Sequence, residues 1–236
     1  MKFEKVVPIS EKEQLILQIE NKIVTGELPV GAKLPTEREI ADQVCISKSA
    51  VHFVLKQLEQ LHFLKTVPRH GTYVNDWITN GSFETLNSVL KLQGPNVNPA
   101  LKNSLVQMRN VIEADAMRLC AVNCSAEDFA QLQEAVDELS LAPNDADPQV
   151  YAEYIRNFHY LVTLKSGNLM YPLMMNAFRD FSLQIWVNCV NFWSRERIAD
   201  FEQQQLNLMK SGLGEEAGNI MREMYAEYQT RENILS

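Results

Sequence analysis

The stretch TEREIADQVCISKSAVHFVLKQL, Thr36–Leu58, predicts two short helices joined by a tight turn. Thr36 followed by Glu39 is a capping-box pattern, in which each side chain bonds the other residue's backbone at the start of a helix. Ser47 is a typical N-cap for the next helix, whose apolar residues recur every three or four positions. Because only a few residues separate the two periodic segments, we predict a helix-turn-helix.

Elements on either side of this pair extend the prediction. Upstream, Ser10 and Glu13 form another capping box, at the start of a helix that ends near Gly26. Downstream, two β-prone runs, 63–67 and 72–74, flank a turn that contains proline and glycine, which predicts a β-hairpin. Three helices followed by a hairpin are typical of a winged helix-turn-helix.

Positive charge is concentrated in the same region, although the whole chain has a formal net charge of -8. Residues 43–75 contain four Lys and Arg residues and one acidic residue. On the third predicted helix, Lys48, Ser49, His52 and Lys56 face away from the apolar stripe. A cationic segment on an acidic chain is typical of polyanion binding, which predicts DNA as a partner. Alternatively, these charged residues form an ordinary solvent-exposed helix face that binds no partner.

The sequence predicts that the remainder of the chain is helical. A polar connector, 76–82, separates a predicted DNA-binding domain, 1–75, from a second domain, 83–236. Helix-capping residues and apolar stripes in the second domain predict helices over 83–92, 99–122, 126–140, 149–166, 171–192, 196–211 and 215–232. The predicted fold class is mainly α: an N-terminal winged helix-turn-helix with a small β-hairpin wing, and a C-terminal all-α bundle of six to seven helices.

The segment from GAKLPTEREIADQV through the wing motif PRHGTYV resembles the DNA-binding domain of the GntR family of bacterial transcription regulators. This resemblance implies operator contacts by Arg38, Ser47, Lys48, Ser49, His52, Arg69, His70, Gly71 and Thr72. The family usually has arginine at the positions of Lys48 and His52. Arginine bonds guanine with two donors, which lysine and neutral histidine do not, so we expect a different operator sequence or affinity.

Short pieces of the second domain, SGNLMY at 166–171 and MMNAF at 174–178, resemble the FadR subgroup of the same family. The resemblance implies that the bundle binds an effector. A homodimer is expected because one winged helix reads only a few base pairs. The candidate effector-binding residues are Arg109, Glu113, His159 and Asn168. An arginine beside an apolar stripe is a ready anchor for a carboxylate, although Arg109 could instead pair with Glu113 one turn away.

Many relatives in this subgroup hold a metal through an Asp-x-x-x-His pair and two later histidines. In this chain His159 matches one ligand, but Ile155 occupies the aspartate position and no histidine follows His159. One imidazole is not a divalent-metal site of useful affinity, so we predict no metal and no cofactor. His159 is then either a pocket residue or a core residue.

We therefore expect a ligand-responsive, sequence-specific DNA-binding transcriptional regulator. Its effector would be a fatty acyl-coenzyme A or another carboxylate, and the alternative is a regulator of sugar-acid or organic-acid metabolism with a small carboxylate effector. An enzyme is not expected, because no catalytic constellation or Gly-rich phosphate loop is recognisable. A scaffold is disfavoured because Lys48, His52 and Arg69 stand where a protein-binding helix presents apolar anchors.

The sequence also predicts a cytoplasmic protein without a membrane partner. Its N-terminal residues lack the apolar core of a signal peptide. The most apolar late stretch, 169–193, is interrupted by charged residues such as Arg179 and Asp180, so it does not read as a membrane span.

Overall fold

The computed structural model describes residues 9–94, 97–143 and 145–235, with side chains described up to residue 231. The first eight residues and the last residue of the predicted domains therefore lie outside the described residues. The chain divides into two compact units, Met1–Gly94 and Pro95–Ser236. Within the described part, no helix has the length and apolar character to cross a membrane.

The first unit is a winged helix-turn-helix extended by two helices, which confirms the predicted fold. Its elements are α1 Glu11–Val24, α2 Glu37–Val44, α3 Lys48–Gln60, β1 Leu64–Val67, β2 Gly71–Val74, α4 Trp77–Asn80 and α5 Phe83–Gln93. The two strands pair antiparallel, with Leu64 opposite Val74. Capping boxes begin α1 at Ser10 and α2 at Thr36, as predicted.

The core of the first unit forms around α3. Val51, Val54 and Leu58 on α3 are fully buried, and so are Phe63 and Val74 of the hairpin region. Each fully buried aliphatic or aromatic side chain contributes about 1.5–3 kcal/mol relative to exposure. This packing fixes which face of α3 is turned outward.

Helix α5 belongs to the first unit, because it is bonded to both α1 and the end of α3. The Thr85 hydroxyl donates to the carbonyl of Leu61 at 2.8 Å, and the Ser88 hydroxyl donates to Glu20 Oε1 at 2.8 Å. The observed division therefore falls after Gly94, whereas the sequence placed the start of the second domain at residue 83. The predicted connector, 76–82, contains the short helix α4.

The second unit is all-α in its described residues. Its seven helices are α6 Pro99–Asn123, α7 Ala126–Leu141, α8 Pro148–Lys165, α9 Met170–Ala177, α10 Arg179–Phe192, α11 Arg195–Lys210 and α12 Gly214–Leu235. Helix α6 packs against α8, α11 and α12. Gly218 allows the approach of α12, because a Cβ there would lie 2.9 Å from the carbonyl oxygen of Ala114.

The predicted single helix over 171–192 is two helices, α9 and α10. The chain leaves helical geometry at Phe178, with φ −111° and ψ 26°, and the side chain of Phe178 is only 2% exposed. No glycine or proline stands at the break, so burial of this ring is the local feature that accompanies the change in direction. The periodicity of the sequence did not reveal it.

Candidate DNA-binding surface and buried polar cluster

The outward face of α3 carries the predicted DNA contacts. Ser47 caps the helix by accepting from the backbone N–H of Ala50 at 3.2 Å, and its hydroxyl lies 3.0 Å from that of Ser49. The side chains of Lys48 and His52 are 69% and 58% exposed. In a helix-turn-helix, residues near the N-terminus of this helix contact base edges in the major groove.

Glu37, at the start of α2, contacts both His52 and Lys48 of α3. The Nδ1 atom of His52 lies 2.6 Å from Glu37 Oε1, and the Nζ atom of Lys48 lies 3.9 Å from Glu37 Oε2. Sequence reasoning missed Glu37, which precedes the predicted contact Arg38. The only available signal was its position in the first turn of α2, where a helix N-terminus favours negative charge.

The aromatic residue on the exposed part of α3 also has a partner. Phe53 is 53% exposed, and Lys12 of α1 places its Nζ atom 4.7 Å from the centre of the Phe53 ring. This is a cation–π distance. Lys12 therefore contacts the recognition helix rather than lying on a separate surface.

The wing presents the second set of predicted contacts. Arg69 and His70 are exposed in the turn between the strands, and Arg69 has a left-handed φ of 65°. Gly71, with φ 117°, begins β2, and a Cβ there would lie 2.9 Å from Cε of Lys33. Thr72 is half-buried opposite Thr66 in the hairpin. The tip therefore offers a cation and an imidazole to a groove or a phosphate.

The second unit contains a buried polar cluster in which five helices meet. Its members are Arg109 and Glu113 of α6, His159 of α8, Trp186 of α10, Glu202 and Gln205 of α11, and Tyr225 of α12. None of these residues is more than 1% exposed. A buried charged group is costly unless it is paired, so the bonds within this cluster decide its stability.

Glu113 and His159 connect the members of the polar cluster. Arg109 donates to Glu113 Oε1 from Nε at 3.0 Å and also from Nη2, and the Tyr225 hydroxyl donates to Glu113 Oε2 at 3.1 Å. His159 Nε2 donates to Glu202 Oε1 at 3.0 Å. The rings of His159 and Trp186 are stacked, with centroids 4.6 Å apart.

The two glutamates of the cluster raise the pKa values of its two basic side chains. Burial lowers the pKa of His159, but the nearby carboxylates of Glu202 and Glu113 outweigh burial and raise it. Burial likewise opposes the charge of Arg109, and Glu113 overcomes this effect so that the pKa of Arg109 is raised. Two basic side chains therefore face two acidic ones, and the pKa of the Tyr225 phenol is raised well above its usual value, chiefly by burial.

Several buried atoms of the cluster lack a hydrogen-bond partner among the described residues. The donors are Arg109 Nη1 and Trp186 Nε1, and the acceptors are Glu202 Oε2 and Gln205 Oε1. His159 Nδ1 is 3.5 Å from Glu113 Oε2, an ion-pair distance rather than a hydrogen bond. Because buried polar atoms in folded proteins nearly always have partners, these atoms leave hydrogen-bonding capacity unused within the cluster.

Comparison with known proteins decides the class of the chain. Residues 11–74 match the model of the family described as bacterial regulatory proteins, gntR family, and residues 104–227 match the FCD domain. The chain is a GntR-family regulator with an FCD domain. Regulators of this family bind operator DNA, and bind small-molecule effectors through the FCD domain.

Individual relatives agree with this assignment. The HTH-type transcriptional regulator YcbG of Bacillus subtilis is 30% identical over 156 residues, which are 66% of this chain and 62% of that protein. The fatty acid metabolism regulator protein of Shewanella pealeana is 26% identical over 173 residues, which are 73% of this chain and 68% of that protein. These relatives are regulators rather than enzymes, and so is this chain, as predicted.

A solved structure shows the same fold at low sequence identity. The Streptococcus agalactiae GntR structure has a TM-score of 0.50 and 19% identity, and the match covers 93% of this chain and 99% of that one. Identity at this level establishes the fold and nothing finer.

Within the FCD domain, three of the four predicted effector residues lie together. Arg109, Glu113 and His159 belong to the polar cluster, whereas Asn168 lies in the loop between α8 and α9 and accepts from the backbone N–H of Met170 at 3.0 Å. Sequence reasoning missed Trp186, Glu202, Gln205 and Tyr225. Their partners in the cluster lie on other helices, so no local pattern in the sequence signalled them.

The polar cluster does not fit the metal that the FadR resemblance implies. Ile155, at the position of the usual aspartate, is a fully buried core residue, and both nitrogens of His159 face carboxylates. Among the described residues, no group of three or more His, Cys, Asp or Glu side chains is arranged to hold a metal ion. The chemistry of this cluster is therefore that of ion pairs and hydrogen bonds.

A surface groove in the same unit is separate from the polar cluster. It has a volume of about 380 Å³, and α7 and Lys210 of α11 line it. None of the predicted effector residues contributes to this groove, so it is a poor candidate for the site that they form.

Proposed function

We propose that this GntR-family regulator reads its operator with α3 and the wing, and that an effector bound at the polar cluster controls DNA binding. The observation that supports the first part is the exposed pair Lys48 and His52, which lie one turn apart at the start of α3. Operator DNA is in the cytoplasm of a bacterium, so we place the protein there as part of this proposal.

We expect the regulator to act as a homodimer on a two-fold symmetric operator. One winged helix reads only a few base pairs, and a second copy doubles the sequence that is read. Sedimentation of the full chain, alone and with operator duplex, should show two chains per duplex. A monomer under both conditions would contradict this expectation.

The first candidate effector is a fatty acyl-coenzyme A. The interior of the bundle is apolar and rich in aromatic side chains, and Arg109 supplies a buried cation for an anionic group. Shewanella relatives are described as fatty acid metabolism regulator proteins. A ligand with a long apolar part and a charged end would use both features.

The second candidate is a small polar carboxylate, and a specific observation favours it. The unpartnered atoms of the cluster include donors, Arg109 Nη1 and Trp186 Nε1, as well as acceptors, Glu202 Oε2 and Gln205 Oε1. A ligand that carries both a carboxylate and a hydroxyl or amino group would satisfy both kinds of atom. An acyl chain offers nothing to the acceptors.

Replacing Trp186 tests the site and distinguishes the two candidates. Trp186→Phe removes the Nε1 donor but keeps an aromatic ring beside His159, so it should weaken binding of a small carboxylate by about 1 kcal/mol, the value of one hydrogen bond. Titration calorimetry of the full chain with long-chain acyl-coenzyme A and with small hydroxycarboxylates measures this effect.

The matched control is Trp193→Phe, because Trp193 Nε1 donates to Glu227 at 3.0 Å, outside the cluster. That variant should bind the effector as the wild type does. Equal losses in both variants would rule out an effector site at Trp186. Binding of acyl chains but not of small carboxylates would reject the second candidate and retain the regulator.

To change how much operator is occupied, the effector must bind with different affinity to the DNA-bound and the DNA-free regulator. A coupling free energy of about 1–3 kcal/mol, which corresponds to roughly 5- to 150-fold in affinity, is enough for regulation. Fluorescence anisotropy of a labelled operator, measured with and without the ligand that calorimetry identifies, gives this coupling directly.

A further inference from the structure

The contact between Glu37 and His52 determines more than the position of the imidazole. The Glu37 side chain is 32% exposed and lies in the first turn of α2, beside the outward face of α3. Its Oε1 atom is 2.6 Å from His52 Nδ1, whereas His52 Nε2 has no hydrogen-bond partner among the described residues. The two ring nitrogens therefore have different environments.

A neutral imidazole carries its proton on one nitrogen, and the partner of that nitrogen determines which one. A carboxylate oxygen only accepts hydrogen bonds, so Glu37 requires Nδ1 to be the donor. Nε2 is then a lone-pair acceptor that points away from the carboxylate. Lys48, which also faces Glu37, remains a donor.

Building on the proposed reading of the operator by α3, we propose that Glu37 is a specificity-determining residue, which fixes the tautomer of His52 and presents its Nε2 to the DNA as a hydrogen-bond acceptor. In the major groove, adenine N6 and cytosine N4 are donors, whereas guanine presents the acceptors N7 and O6. His52 in this tautomer selects adenine or cytosine and rejects guanine at the position it contacts. Glu37 acts through His52 and is a positioning residue.

The tautomer can be measured without DNA by ¹⁵N NMR of imidazole-labelled full chain at about pH 8, where a free imidazole is neutral. The chain contains four histidines, and the spectrum of His52→Ala assigns the signal. We expect the Nδ1–H form of His52 in the wild type. In Glu37→Ala, we expect a shift toward the Nε2–H form, which is the major form of free neutral histidine.

Asp42→Ala is the matched control, because it removes an equal negative charge from an exposed position of the same helix. The control should leave the His52 spectrum unchanged. An Nε2–H form in the wild type, or a His52 signal that remains doubly protonated at about pH 8, would overturn the proposal.

Selection of duplexes from a random pool provides the functional readout. In the wild type, one position in each half-site should prefer adenine or cytosine, and His52→Ala should abolish this preference and thereby identify the position. Glu37→Ala should reduce the discrimination against guanine there by about 3- to 10-fold, the scale of one hydrogen bond. Uniformly tighter binding of all duplexes by both Glu37→Ala and Asp42→Ala, without a change of base preference, would show that only charge is involved.

Discussion

Glu113→Ala should lower the free energy of unfolding of the second unit by about 3–5 kcal/mol, which is the usual cost of removing one partner from a buried ion pair. Glu113 accepts from Arg109 and from the Tyr225 hydroxyl, and its side chain is 1% exposed. Its removal leaves the Arg109 guanidinium buried without a carboxylate partner on α6. Chemical denaturation followed by circular dichroism measures the loss.

Two further variants test whether the unpaired charge of Arg109 causes this loss of stability. Arg109→Met with Glu113→Leu removes both charges at once and should cost much less than Glu113→Ala, because no unpaired charge remains. Glu215→Ala, which breaks the exposed pair with Arg222, should cost less than about 1 kcal/mol. If Glu113→Ala costs no more than Glu215→Ala, the cluster does not stabilise the fold in the way described.

The local elements of the fold could be predicted from the sequence, because their signals lie within a few residues. The capping boxes at Ser10 and Thr36 appear where the sequence places them. The cap of α3 at Ser47 also agrees with the prediction. In each case one side chain and a backbone N–H three residues away determine the boundary.

Features that depend on distant residues could not be predicted. His159 meets Glu202, 43 residues away, and Glu113 meets Tyr225, 112 residues away, and no local pattern encodes these contacts. The attachment of α5 to the first unit depends on Ser88 bonding Glu20, 68 residues earlier. Helix packing decides such pairs, so sequence reasoning found three of the seven members of the polar cluster.

Lys48→Ala and His52→Ala should each weaken operator binding by about 1–3 kcal/mol, which corresponds to roughly 5- to 150-fold, because each removes a side chain positioned to contact base edges. Both side chains are exposed on α3 and are held by Glu37. Neither makes a contact in the core of the first unit, so both variants should unfold as the wild type does.

Lys22→Ala is the appropriate control for these two variants. Lys22 pairs with Glu27 at the end of α1. Lys12 is less suitable, although it is also on α1, because it lies over the ring of Phe53 on the recognition helix. A change at Lys12 would therefore alter the surface that is being tested.

The most direct test of operator reading by α3 is the ratio of affinities for a selected operator and a scrambled duplex of equal length, measured by fluorescence anisotropy at one salt concentration. We predict a high ratio for the wild type and for Lys22→Ala. The ratio should fall about 5- to 150-fold in Lys48→Ala and His52→Ala, because base contacts specify whereas phosphate contacts only position. Equal weakening on both duplexes, with an unchanged ratio, would contradict the assignment of α3 as the helix that reads the operator.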